Sequence, residues 1–252
     1  MLESNSFKSG IWKPFQSFLK FLGNFRHLLL PLIGIYLPLL IFSILALKLW
    51  QSEIGFLFPW DVPILMAIHQ TVQPQLTKLA LLLTQLGGFR GASLIFSAIA
   101  LLLLIRRQWR SSIYVVTAGL GNLVINRTLK ELLHRARPEL WESSYHQNCY
   151  AFPSGHSMMS MTVAVVVIIL TWKTPWRLLG VIFGSLFVIA IAWTRLYLGV
   201  HYPSDILAGW MVALAWVTVV SSVVKPNLAA TNYETSLLPE EKEQVEESKN
   251  EA

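Results

Sequence analysis

Three separated blocks of the sequence bring together residue types that could carry out chemistry on a phosphate group. Phosphoryl transfer needs an in-line nucleophile, a proton for the leaving oxygen and positive charge around three equatorial oxygens. The histidines, arginines and lysine of the blocks could supply all three. In chain order the blocks are Lys130-x6-Arg137-Pro138, Pro153-Ser154-Gly155-His156 and Thr194-Arg195-x5-His201-x3-Asp205.

The cations of these blocks are suited to holding a phosphate without a metal ion. Lys130, Arg137 and Arg195 carry up to three positive charges, and an arginine fork binds phosphate in a bidentate manner. We therefore expect no metal and no other cofactor. Facing cations would also repel a divalent ion from His156, His201 and Asp205, which leaves metal binding as the weaker alternative.

The second block predicts an anion site at the start of a helix. Gly155 opens an apolar stretch, where free backbone N–H groups and the helix dipole point at an anion. Ser154 stands at the expected N-cap position and adds a hydroxyl. In the third block, His201 and Asp205 are four residues apart, so a helical turn between them would place imidazole and carboxylate on one face.

Together and in this order, the blocks resemble the signature of the phosphatidic acid phosphatase type 2 superfamily of lipid phosphatases, K-x6-RP, PSGH and SR-x5-H-x3-D. The resemblance covers the chain from about Leu28 to Val224. Thr194 stands where the family usually has serine, and it keeps the hydroxyl.

The resemblance implies a role for each matching residue. His201 would attack phosphorus and form a phosphohistidine, Asp205 would hold its ring in the reactive tautomer, and His156 would protonate the leaving group. The substrate would be a membrane lipid phosphate or diphosphate, of the phosphatidic acid or undecaprenyl (polyprenyl) diphosphate class. Its phosphate would be bound by Lys130, Arg137, Ser154, Gly155 and Arg195.

Composition indicates that lipid is the solvent around the elements that position these blocks. Hydrophobic residues make up 54% of the 252 residues and charged residues 13%, whereas soluble domains carry about 25% charged residues. We predict an all-α fold, a six-helix transmembrane bundle. The predicted spans are Leu28 to Leu47, Gly91 to Ile105, Ser111 to Asn126, Gly155 to Trp172, Leu178 to Trp193 and Ile206 to Val224.

Basic residues at alternate span ends predict the orientation, because cytoplasmic connections hold the excess of lysine and arginine. Clusters precede the first span and follow the second, fourth and sixth. Both termini are then cytoplasmic, and the three blocks face outward from a plasma or inner membrane. The outward segments are Lys48 to Arg90, Arg127 to Ser154 and Arg195 to Asp205.

The chain is predicted to divide into three parts. Residues 1–27 have the helical apolar spacing of an interfacial segment, although a cleaved targeting segment is an alternative. Residues 28–225 form the six-span domain. Residues 226–252 hold seven of the fourteen acidic residues and have the composition of a disordered tail. The basic residues lie between apolar runs rather than along one polar face, so we expect no nucleic-acid partner.

Two other functional classes remain open on sequence alone. One is an oxidoreductase of the vanadium haloperoxidase type, which resembles the same superfamily because vanadate occupies the phosphate pocket. The other is a non-catalytic membrane binding or transport protein. The apolar spans disfavour the first class, and the complete set of reactive residues disfavours the second.

Overall fold

The computed structural model of the chain describes residues 31–51, 57–141 and 149–226. The predicted interfacial segment, 1–27, and nearly all of the predicted tail, 226–252, lie outside these residues. The described residues form helices and no strand, which confirms the all-α prediction. A π-helical turn, Leu32–Tyr36, leads into the first of eight α-helices: α1 Leu37–Trp50, α2 Asp61–His69, α3 Pro74–Gly87, α4 Phe89–Ile105, α5 Trp109–Leu133, α6 Gly155–Thr171, α7 Arg177–Tyr197 and α8 Pro203–Val224.

Within the described residues, each of the six predicted spans overlaps a helix, and the apolar helices are those of a multi-pass integral membrane protein. By length and hydropathy, three helices of the described residues can cross a bilayer: Leu32–Trp50, α7 and α8. A fourth results if α3 and α4 count as one bent span. Because α6 has only 17 residues and polar side chains such as Asn122 and Asn126 interrupt α5, the count of six spans stays a prediction.

Two helices lie in the segment between Lys48 and Arg90, where no element was predicted. α2 has nine residues, too short for a periodic pattern to stand out. α3 begins at Pro74, which suits the first helical position because it lacks an N–H group. α3 and α4 meet at Gly88 with a bend of 49°. A Cβ atom at Gly88 would lie 3.2 Å from His156 Nε2, so this bend approaches the second block closely.

The helices that carry the three blocks run antiparallel and bring the blocks to one end of the bundle. α5 and α7 end close to the blocks, whereas α6 and α8 begin there. Buried side chains of α4, α5, α6 and α8 pack together beneath them, among them Phe96, Tyr114 and Met159. Large apolar side chains on the outer surfaces are exposed, as expected for helices that face lipid: Leu94, Ile105, Leu178 and Phe183.

Candidate active site

The second block opens α6 as predicted. The helix begins at Gly155, and the hydroxyl of its N-cap residue, Ser154, accepts a hydrogen bond of 3.5 Å from the Ser157 N–H. Ser154 is fully buried, and the Ser157 hydroxyl also donates to it at 3.0 Å. Its side chain therefore caps the helix and is not among the residues lining the cavity described below.

The third block delivers His201 through a turn rather than through a helix. α7 ends at Tyr197, and Gly199 follows with φ +67°, a left-handed conformation that favours glycine. A Cβ atom there would also lie 2.5 Å from the Trp141 ring. The chain then passes through His201 and enters α8 at Pro203.

His201 and Asp205 meet, although the expected helical turn between them is not what joins them. His201 precedes α8, and Asp205 lies in its first turn. The Asp205 carboxylate accepts a hydrogen bond of 2.8 Å from the Tyr202 N–H, and the same oxygen, Oδ2, is 3.4 Å from His201 Nδ1. The pair thus forms through the cap at the start of α8.

The second ring nitrogen of His201 faces a cation of the first block. Arg137 Nη1 lies 3.2 Å from His201 Nε2 and also donates to the Val200 carbonyl at 2.7 Å. A guanidinium can only donate hydrogen bonds, so Nε2 turns its lone pair toward Arg137 and Nδ1 carries the proton toward Asp205. This is the tautomer in which Nε2 can act as a nucleophile.

His201 lines a cavity of about 410 Å³. Five of the eight predicted site residues line it: Lys130, Arg137, Gly155, His156 and His201. Ser154, Arg195 and Asp205 are fully buried next to these lining residues. The structure therefore brings the three blocks together. Some of their residues would contact a ligand in the cavity, and the others lie buried beneath the lining residues.

Segment 149–151, which no block contains, holds the two cations of the first block in place. Arg137 Nε donates to the Cys149 carbonyl at 2.7 Å, and Lys130 Nζ donates to the Tyr150 carbonyl. Cys149 itself is exposed and lines the cavity. Arg195 extends from α7 toward α3, where it donates to the Thr84 hydroxyl at 2.6 Å.

The surroundings of His201 favour its neutral form. Only 1% of the residue is exposed, and burial holds the pKa of His201 well below its usual value of 6.5. Arg137 is the next largest cause of this lowered pKa, followed by Arg195, Lys130 and Arg135. A neutral imidazole keeps the free lone pair that nucleophilic attack requires.

A set of buried charged and polar residues lies on the Nδ1 side of His201. Arg135 donates from Nη1 to Asp205 Oδ1 and from Nη2 to Asp61 Oδ2, the latter at 2.7 Å. Ser204 accepts from Arg135 Nη1 at 2.7 Å and donates to Asp61 Oδ2 at 2.6 Å. Asp61, Arg135, Ser204 and Asp205 are called the carboxylate network below.

Comparison with known proteins shows which family this arrangement resembles. Residues 110–229 match the family model described as the PAP2 superfamily. Over these residues, the chain is similar to the PAP2 superfamily. The crystal structure of a transmembrane PAP2 type phosphatidylglycerolphosphate phosphatase from Bacillus subtilis has a similar fold, with a TM-score of 0.67 and 25% identity, covering 76% of this chain and 96% of that one.

Relatives with assigned names match over part of their length. An undecaprenyl-diphosphatase of Sulfolobus acidocaldarius is 28% identical over 127 residues, which are 48% of this chain and 59% of the relative. Phosphatidylglycerophosphatase B of Bacillus subtilis is 30% identical over 114 residues, 43% of this chain and 55% of the relative. This chain therefore spans little more than half the length of these PAP2 relatives.

Several residues around the site carry no signal in the sequence patterns. Asp61 lies in the segment without predicted elements, and it contacts Ser204 across 143 positions of the chain. Thr84 and Gly88 belong to the same segment. Arg135 falls in the unspecified spacer between Lys130 and Arg137 of the first block. A buried carboxylate in an otherwise apolar helix is the one local feature of Asp61 that could have drawn attention to it.

Proposed function

We propose that this chain is an integral-membrane lipid phosphatase of the PAP2 type that works without a metal ion, through a phosphohistidine formed on His201. The observation that carries the proposal is the position of His201 Nε2. His201 lines the cavity, with Nε2 3.2 Å from Arg137 Nη1 and with Asp205 at Nδ1, so a phosphate that takes over the contact with Arg137 would meet the Nε2 lone pair. A phosphate in the cavity would meet the nucleophile and the cations at once.

In the first chemical step, His201 Nε2 attacks phosphorus and the bond from phosphorus to the leaving oxygen breaks. Lys130, Arg137 and Arg195 would balance the charge of the equatorial oxygens, assisted by the backbone N–H groups at the start of α6. Asp205 would stabilise the positive charge that develops on the ring through Nδ1. The lipid alcohol or phosphate leaves with a proton donated by His156.

The second step returns the protein to its starting state. Water attacks phosphorus, the bond from phosphorus to Nε2 breaks, and inorganic phosphate is released with His201 neutral again. His156, which gave up its proton in the first step, accepts one from the attacking water. His156 thus holds a proton again at the start of the next cycle.

A second cavity supports a lipid as the substrate. It has a volume of about 360 Å³, lies between α4 and α5, and is lined mainly by apolar side chains. Phe89, Leu123 and Met159 line both cavities, so the two adjoin. An acyl or prenyl chain could lie in this groove while its phosphate reaches His201. A tail held in this way would also keep the phosphate oriented, which lowers the entropic part of the barrier.

The names of the relatives support lipid phosphates and diphosphates as the class to test first. We infer phosphatidic acid or a polyprenyl diphosphate such as undecaprenyl diphosphate as the substrate. Phosphate release from the purified protein in micelles should be at least about tenfold more efficient in kcat/KM for such lipids than for glucose 6-phosphate, a difference of roughly 1.4 kcal/mol. Equal efficiency on glucose 6-phosphate would contradict the lipid assignment, and no release from any substrate would contradict the phosphatase assignment.

A pair of neighbouring substitutions tests the groove itself. Ser97 is exposed and lines the groove, whereas Ala98, the next residue of α4, is exposed and does not line it. Ser97→Trp should fill the groove and lower kcat/KM for a long-chain lipid by about tenfold, a loss of about 1.4 kcal/mol of binding to the tail. Activity on a short-chain phosphate should change little, and Ala98→Trp should leave both activities near the wild-type values.

We further propose that the site faces outward, with both termini in the cytoplasm. The basic clusters at the opposite helix ends support this orientation, among them Arg106 and Arg107 between α4 and α5 and Arg110 at the start of α5. Cys149 is the chain's one cysteine and is exposed at the cavity. A membrane-impermeant thiol reagent added to intact cells should label it. Labelling only after the inner face is opened would reverse the orientation.

A further inference from the structure

The described residues contain two buried ionised groups that the proposed reaction does not use. Asp61 is fully buried in the first turn of α2, and Arg135 lies 3% exposed between α5 and the Arg137 of the first block. Charges of this kind are costly to bury and are usually paired or functional. Their contacts lead directly to the carboxylate that orients His201.

The contacts of Asp61 hold two different parts of the site together. Its carboxylate accepts from Arg135 at 2.7 Å and from the Ser204 hydroxyl at 2.6 Å. It also accepts from the backbone N–H groups of Ser204, at 3.0 Å, and Phe58, at 3.3 Å. Asp61 therefore fixes both the Arg135 guanidinium and the start of α8, the helix that carries Asp205.

Arg135 divides its fork between the two carboxylates. One nitrogen donates to Asp205 Oδ1 and the other to Asp61 Oδ2, and the guanidinium carbon lies 4.6 Å from the centre of the Tyr202 ring. With Oδ1 of Asp205 bound to Arg135, Oδ2 is left to face His201 Nδ1 and the Tyr202 N–H. Burial opposes the charge on Arg135, but Asp205 and Asp61 outweigh it and raise the pKa of Arg135.

We infer that Asp61 and Arg135 are positioning residues for the reaction, which act by fixing the orientation and charge of Asp205 and so the ring of His201. The inference rests on the proposed phosphatase function. It extends the site beyond residues 110–229, the part matched by the family model, because Asp61 lies outside that range. α2 thereby becomes part of the catalytic arrangement rather than a connection.

The network also affects how easily His201 is protonated. The charged and titratable groups around its ring come from several elements and from the loops between them: Asp205, His156, Arg195, Lys130, Arg137 and Arg135. Arg135 is one of the cations that lower the pKa of His201. Removing the charge of Arg135 should therefore raise the pKa of His201. Asp205 Oδ1 would also lose its bond to Arg135, and the carboxylate would then stabilise a protonated ring more strongly, which raises the pKa further.

Steady-state kinetics of three variants test the inference. Asp61→Asn should lower kcat by about 10- to 100-fold, as misplacement of a reacting group by a fraction of an ångström does. KM should stay within about twofold, because Asp61 does not line the cavity. Arg135→Gln should lower kcat similarly and also move the acidic limb of the kcat/KM profile to higher pH. Leu65→Ala, a buried change in the same helix, is the matched control: it should lower thermal stability without moving the acidic limb.

Failure of one variant to fold would not remove the test. Arg135→Gln leaves two buried carboxylates without their cation, so the double variant Asp61→Asn with Arg135→Gln is included, and it should show the same shift of the acidic limb. Folded variants with wild-type kcat and an unchanged pH profile would overturn the inference, as would a loss confined to KM. A wild-type protein that releases no phosphate from any substrate would instead contradict the proposed function.

Discussion

The two nitrogens of His201 face regions of opposite character. On the Nδ1 side, the carboxylate network is buried, and its charged groups bond to one another and to backbone N–H groups. On the Nε2 side, Lys130 and Arg137 line an open cavity. Both donate to carbonyl groups, and Arg137 also contacts His201 Nε2 and the Cys149 sulfur. Within the described residues, neither cation forms a salt bridge with a carboxylate. One side holds the ring, and the other leaves positive charge available to a ligand.

This difference shows how a single side chain can be both rigid and reactive. A buried polar group orients its neighbours only when its own hydrogen bonds are made, because an unmade one costs about 1 to 3 kcal/mol. A binding group, in contrast, must keep some of its interactions unmade until the substrate supplies them. Predictions for this molecule therefore separate into changes at the ring, in the cavity and in the residues beneath it.

Removal of the ring should have the largest effect, because both regions act through it. His201→Ala is expected to lower kcat by at least about a thousandfold, as loss of a catalytic nucleophile does. Phosphate release from a lipid substrate measures the loss, and rapid base-quench labelling should detect no base-stable phosphoprotein in the variant. A variant that kept labelling would place the nucleophile at another residue.

A change on the cavity side should depend on the substrate. His156→Ala is expected to lower kcat by about a hundredfold on a lipid monophosphate, whose alkoxide leaving group needs a proton. The loss should be clearly smaller on a polyprenyl diphosphate, whose phosphate leaving group needs little help. Parallel assays of both substrates with the same protein preparation measure the difference. Equal losses on both would remove His156 from the role of general acid.

The sequence predicts the cavity side far better than the carboxylate network. The block residues lie within a few positions of helix ends, and their spacing alone shows that Lys130, Arg137, His156 and His201 can gather at one end of a bundle. Asp61 meets Ser204 across 143 positions, and no local pattern reports a contact of that separation. The bend at Gly88 and the short α2 were missed for the same reason: tertiary packing, not periodicity, places them.

A residue beneath the cavity should have a moderate effect. Thr84→Val keeps the shape of the side chain but removes the hydroxyl that accepts from Arg195 at 2.6 Å. Hydrogen bonds to charged groups contribute about 1.5 to 3 kcal/mol, so we expect kcat/KM to fall by about tenfold or somewhat more. Thr77→Val, a change at a partly buried threonine of the same helix whose hydroxyl donates to the Gln73 carbonyl at 3.0 Å, is the control, and its kcat/KM should be close to wild type. A normal kcat/KM for Thr84→Val would mean that Arg195 needs no fixed partner in α3.

The smallest expected effect is that of moderate acid on the wild-type protein. Burial, followed by the charge of Arg137, holds the pKa of His201 well below 6.5. The ring therefore stays neutral as the pH falls through 6.5. Reactivity is lost only when the pH falls through the lowered pKa. Between pH 7 and pH 6, kcat/KM should change by less than about twofold once the substrate's own second phosphate ionisation, near pH 6, is subtracted. Titration of the substrate by phosphorus NMR supplies that correction. An acidic limb of the pH profile centred near 6.5, the usual pKa of histidine, would show that the cations of the cavity do not lower the pKa of His201 in the working protein. The two sides of His201 would then differ in geometry alone.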